Sequence, residues 1–201
     1  MPVMSRREAI ALALAAAPAA AFAQPGPVRV RGTILEVSGD ALGITTRDGA
    51  RVIVNLTPDA SIVSLRRVTL DDLGPGANIG VVAEPDTDGG LRATAITVLP
   101  PGARINQYQG AWDTAPNASM NNGVVEATVQ SGSGRALTLS IQGRPVRIRV
   151  PAEAPLLMPV PAARTDLVPN ATVFINATRG EDGRITANRV TVSKDGVAPV
   201  I

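Results

Sequence analysis

Asp88-Gly89-Gly90-Leu91-Arg92-Ala93-Thr94-Ala95-Ile96-Thr97-Val98 is answered, 94 residues further on, by Asp182-Gly183-Arg184-Ile185-Thr186-Ala187-Asn188-Arg189-Val190-Thr191-Val192. Each stretch opens on an Asp-Gly turn. Each then places apolar side chains two apart, at Leu91 and Ala93 or at Ile185 and Ala187, as a strand with one buried face does. The apolar phase then moves to Ile96 and Val98, and to Val190 and Val192. Side chains alternate across a strand, so a change of phase needs one extra residue. A β-bulge is therefore predicted near Thr94–Ala95 and again near Asn188–Arg189.

The same spacing pairs Asp72-Leu73-Gly74-Pro75 with Asp166-Leu167-Val168-Pro169, Gly49 with Gly143, Val52 with Val146 and Ala77 with Ala171. Near the start the spacing is 91, matching Gly32-Thr33-Ile34 to Gly123-Val124-Val125, which leaves the second copy a few extra residues at Ser131-Gly132-Ser133-Gly134. A spacing held through several turn motifs identifies an internal duplication. In the first copy Val28 to Val37 reads as a strand. Leu42, Ile44 and Thr46 alternate, then Val52, Val54 and Leu56, and Thr69 to Leu73 reads as a short helical turn before two more strands. Three strands, a helical connection and two strands in about 70 residues fit a small closed barrel of OB type. The fold reading is all-β: two tandem small OB-like β-barrels related by internal duplication, over residues 28–99 and 122–194. A linker, 100–121, joins them and a tail, 195–201, follows. An SH3-like barrel or small open sandwich is the competing architecture.

Composition removes several chemistries. Of 201 residues none is Cys or His. That excludes a disulfide framework, a thiolate metal site, an imidazole zinc site and a Ser-His-Asp triad. Aromatic residues are limited to Phe22, Tyr108, Trp112 and Phe174, too few for a base-stacking platform on single-stranded nucleic acid. The charge is nearly balanced, 19 Lys+Arg against 17 Asp+Glu. It is unevenly divided: residues 28–99 hold 7 basic and 9 acidic residues, and residues 122–194 hold 9 and 5.

Met1 to Ala23 reads as an export signal. Ser5-Arg6-Arg7 gives the positive start, Ile10 to Ala17 the short apolar run and Ala21-Phe22-Ala23 the cleavage triplet. The arginine pair resembles a twin-arginine signal, although Ala9 stands where an aromatic residue is usual; a Sec signal is the alternative. Cleavage after Ala23 leaves a periplasmic or secreted protein with no later apolar stretch of membrane-spanning length.

The motifs Gly32-Thr33-Ile34, Asp48-Gly49, Asp71-Asp72-Leu73, Pro75-Gly76, Asp88-Gly89, Leu91, Ala93, Ile96 and Val98 resemble a bacterial exported OB-like domain of unknown function. The linker Trp112-Asp113 with Ser119-Met120-Asn121, and the tail Lys194-Asp195-Gly196-Val197, look like a two-copy proteobacterial subfamily of it. The second copy departs at Gln142 and Asn170, so its turns need not match in type. The resemblance covers most of the mature chain and implies fold more than function. Some relatives carry a metal-transport permease label, which a mature chain without a span cannot fulfil literally. An accessory place beside a transporter is what remains of it.

Candidate sites follow from what composition leaves. Glu84, Asp86 and Asp88 alternate near a Gly turn and offer three oxygen donors of the kind Ca²⁺ takes, although ordinary turn chemistry explains them too. Asp71 and Asp72 read as caps of the helical turn. Arg147 and Arg149 project from one face of a strand near Arg144, a stripe suited to a phosphate, sulfate or anionic glycan, or else a solvated outer face. Tyr108 and Trp112 either fasten the barrels or meet a ligand. No spacing marks a nucleophile with its base, and no cofactor is implied. The functional reading is a non-catalytic envelope binding or scaffold protein. Its partner is an envelope protein or an anionic ligand, with no nucleic acid and no membrane span. The alternatives are an accessory or solute-binding component of a metal or other transport system, and a carbohydrate-processing enzyme.

Overall fold

Alternation is realised as strands throughout. The computed structural model describes residues 25–131 and 134–200. The export segment and the centre of the Ser131–Gly134 turn lie outside them. The first copy supplies β1 (Gly26–Ser38), β2 (Ala41–Thr46), β3 (Arg51–Arg67), a 3-10 turn (Leu70–Asp72), β4 (Asn78–Pro85) and β5 (Leu91–Val98). The linker contains β6 (Tyr108–Ala111). The second copy supplies β7 (Ser119–Ser131), β8 (Gly134–Ile141), β9 (Arg144–Val150), β10 (Leu156–Pro161), a second 3-10 turn (Arg164–Asp166), β11 (Thr172–Arg179) and β12 (Ile185–Val192).

These strands do not close within 28–99 or within 122–194. β1 pairs with β2 and β2 with β3, but β3 then pairs in parallel with β12, β12 with β11, and β11 with β1. That is a closed five-stranded ring with three strands from the first copy and two from the second. β7, β8 and β9 are joined in the same manner by β4 and β5, and the parallel contact of Leu91 and Arg92 with Ile148 and Arg149 completes this circuit. Two separate cores record the same exchange. Ile34, Leu42, Ile44 and Val54 pack with Val173, Ile175 and Val190, while Ile79, Val81 and Ile96 pack with Leu137, Leu139 and Ile148.

The two halves of the chain meet at β3, which continues from Arg51 to Arg67 and carries the chain out of the first ring. Its last residues meet β10 in an antiparallel ladder in which Leu65 faces Pro159, its own counterpart in the duplication. The ladder is therefore the two-fold centre of the duplicated chain. Such exchange of equivalent strands is domain swapping, here within one polypeptide. Two ion pairs favour it. Arg164 of the second 3-10 turn meets Asp40, and Asp71 of the first meets Arg135 at 3.0 Å. Self-closed copies would set Asp71 beside Asp40 and Arg164 beside Arg135, juxtaposing like charges, which selects against that pairing.

Both predicted bulges are present. Val82 faces Ala95 and Ala83 faces Ala93, so Thr94 is the extra residue. On β12 the three residues Ala187–Arg189 stand against two, Asn176 and Ala177, of β11. Of the proposed caps, Asp72 accepts the Thr69 N–H at 2.8 Å and Asp166 accepts the Ala163 N–H at 2.8 Å, while Asp71 serves the ion pair. The two flagged departures behave differently. Asn170 keeps the left-handed backbone of its counterpart Gly76, with φ of 71° against 89°. Gln142 adopts φ 52° and makes a tighter two-residue turn between Ile141 and Arg144.

Candidate functional site

The linker is more than a connection. Tyr108–Ala111 lies antiparallel to Asn122–Ser119 of β7 as an added strand outside the ring. Asn121, fully buried, fixes it. Its amide donates to the Val81 carbonyl and to Ser119, and its Oδ1 accepts from Gln109 at 2.9 Å. Tyr108 is exposed, with its ring across Gly110, where a Cβ would lie 2.1 Å from the phenol oxygen.

Trp112 follows β6 and turns back over both rings. With Ala115 it covers Val82, Ala95, Ala118 and Met120, and its ring stacks 3.9 Å from the Arg29 guanidinium on β1. Asp113 then receives Arg31 through both terminal nitrogens, at 2.8 and 3.0 Å, and Arg29 at 3.5 Å. The Arg31 bonds, above all, hold the Asp113 carboxyl below its ordinary pKa of 3.8. Arg31 is itself largely covered, with its guanidinium 4.9 Å from the Phe174 ring. The linker thus bolts the second ring to β1 by stacking and by a bidentate ion pair, which is both stronger and more directional than a simple charge contact.

The sequence-derived sites rearrange. Arg149 and Asp86, assigned to different sites, meet as a two-point ion pair, with Arg149 Nη2 at 2.8 Å from Asp86 Oδ1. This bond and the Thr87 N–H hold Asp86 down to about 2. Glu84 pairs with Arg92 at 3.1 Å, and Asp88 accepts the Gly90 N–H at 2.9 Å as a turn former. Among the described residues no cluster of three or more metal-ligating side chains forms. Arg147 stays exposed opposite Thr138, and Arg144 stays exposed at the β8–β9 turn. The arginine stripe and the carboxylate run therefore meet at one point, Arg149 with Asp86.

A different constellation remains open. Arg29 and Arg31 on β1 and Arg47 in the β2–β3 turn line a concavity of about 480 Å³ with Asp48 and Asp113. Asp48 is occupied by the Thr46 hydroxyl, which holds its pKa low. Arg47 enters no ion pair among the described residues. The corresponding positions of the other ring are the uncharged Met120, Asn122 and Gln142. The sequence carried this signal: Arg29 and Arg31 alternate outward as Arg147 and Arg149 do, but their copy-mates do not share the charge. The chain matches no family model, no curated protein and no solved structure.

Proposed function

We propose that the chain is an exported, non-catalytic binding module built of two OB-type barrels that exchange strands. Its recognition element is the edge of β1 at Val28–Arg31, and its partner is an acidic, extended segment of an envelope protein. The observation that carries this reading is an asymmetry within the duplication. In one ring, β6 adds to β7 at Ser119–Asn122. In the other, the equivalent run Val28–Arg31 pairs with β11 on one side, and among the described residues no strand lies on its other side. Only the Arg47 N–H reaches it, at the Arg31 carbonyl.

The outward backbone groups of an unpaired edge are a template for strand addition. β6 shows the geometry with a neutral sequence beside Met120 and Asn122. Beside β1 the flanking side chains are Arg29, Arg31 and Arg47; Asp113 engages Arg31 and, at longer range, Arg29, so it is Arg47 above all that favours a segment carrying carboxylates. The ring order, with three strands closed by a parallel third–fifth contact, supports the OB-type reading and agrees with the family resemblance.

Fluorescence anisotropy with a labelled six-residue peptide of alternating Glu and Val tests this. Saturable, salt-sensitive binding is expected. Arg47→Glu is expected to weaken it about tenfold. Methylating alternate peptide amides is expected to abolish it, because charge is kept while the ladder is lost. Equal binding of a Lys-Val peptide would refute acidic recognition, and equal binding of the methylated peptide would refute strand addition.

A further inference from the structure

The duplication exposes a second asymmetry, away from the β1 edge. Where the chain leaves β9 for β10, Arg67, Leu70, Arg135, Pro151, Glu153 and Leu156 line a cavity of about 610 Å³. Its counterpart in the first ring lies around Asp40, Thr57, Pro58 and Arg164. There Arg164, which stands where Leu70 stands, sends its guanidinium to Asp40, to the Thr57 carbonyl at 3.0 Å and to the Pro58 carbonyl at 3.4 Å. The first ring thus fills this position with its own side chain. The second ring has replaced the plug by Leu70 and its acidic partner by Arg135.

We infer that the open copy is a ligand site for a small amphiphilic anion, a single carboxylate on a short apolar body. The volume lies in the range of small-molecule sites. Leu70, Val150, Pro151, Pro155 and Leu156 offer the apolar wall. Arg135 is pinned by Asp71 at 3.0 Å, and Arg67 stands at the rim without an ion pair among the described residues. Arg67 supplies the head-group contact and Arg135 the supporting field, with Glu153 the opposing charge that limits the head group to one negative charge. The inference is independent of strand addition at β1.

Isothermal titration with octanoate tests it, with octan-1-ol and acetate as the head-less and tail-less probes. Octanoate is expected to bind saturably, one per chain, and at least about tenfold more tightly than either control. Arg67→Gln is expected to bring octanoate down toward octan-1-ol. The double variant Leu70→Arg with Arg135→Asp rebuilds the plug and is expected to abolish binding. Leu70 belongs to the core, so Glu153→Gln, at an exposed lining position, gives a second reading: with the opposing charge removed, octanoate is expected to bind at least about threefold more tightly and octan-1-ol equally. Binding no better than octan-1-ol, undiminished binding in a folded plugged variant, or octanoate binding unchanged by Glu153→Gln would overturn the assignment.

Discussion

Ile175→Ala is expected to lower the unfolding free energy by about 2–5 kcal/mol, the usual cost of a large-to-small change in a fully buried position. Ile175 is 0% exposed on β11, opposite Val30 of β1. It packs with Ile34, Leu42, Ile44 and Val54, all from the other half of the chain. The consequence is specific to the exchanged pairing. Amide exchange should accelerate first in β1, β2 and β3, over a hundred residues away in sequence, and less in β8 and β9. Chemical denaturation read together with hydrogen exchange checks both the size and the location. Faster exchange confined to β7, β8 and β9 would mean that the second copy closes on itself.

Gly32→Ala is the other substitution with a large expected effect. A Cβ at Gly32 would lie 2.1 Å from the Thr45 carbonyl oxygen and 2.8 Å from Ile44 Cγ2. Backbone cannot yield there, since Thr45 pairs with Thr33 on one side and Arg51 on the other. Overpacking of this kind costs about 1–3 kcal/mol, and the first of these contacts is with backbone, which puts the expected loss at the upper end. Gly123→Ala, at the duplicated position, meets the Ser140 carbonyl at 2.6 Å and is expected to cost less. Thermal or denaturant unfolding of the two variants gives the comparison. Equal stability of Gly32→Ala and the parent would mean that β1 and β2 do not cross so closely.

Much of this fold was legible in the sequence because its signals are local. Apolar alternation marked the strands, the phase shift at Thr94 marked a bulge, and the repeated Asp72 and Asp166 marked the turns they cap. Pairing is not local. Nothing about Leu91–Val98 distinguishes closure on β3 from closure on β9, because the duplication makes both partners nearly equivalent. The discriminating features are weak one by one: opposite charges at Asp40, Asp71, Arg135 and Arg164. For the site, residue-by-residue reading singled out Asp86 and Arg149 separately, and only exchange brings β5 beside β9 so that they meet. Fastening was one of two roles the sequence left to Trp112, and its neighbours in the fold, Arg29 and Arg31, depend on the placement of the rings. The open positions at Arg47 and Leu70 are differences between the two copies, filled by Gln142 and Arg164 in the other, and no local pattern marks them.

Exchange is the claim on which the other assignments rest, and the absence of native cysteine permits a direct test. Thr33 and Thr172 face each other across β1 and β11, whereas self-closure would put Asn78, the duplicate of Thr172, in that place. Neighbouring Cα atoms in a non-hydrogen-bonded antiparallel pair lie about 4.5 Å apart, within disulfide reach. The measurement is mild oxidation of two double variants, Thr33→Cys with Thr172→Cys and Thr33→Cys with Asn78→Cys, followed by mass analysis of the monomer. A bond in the first and free thiols in the second is the expected result; a bond in the second and free thiols in the first would contradict strand exchange.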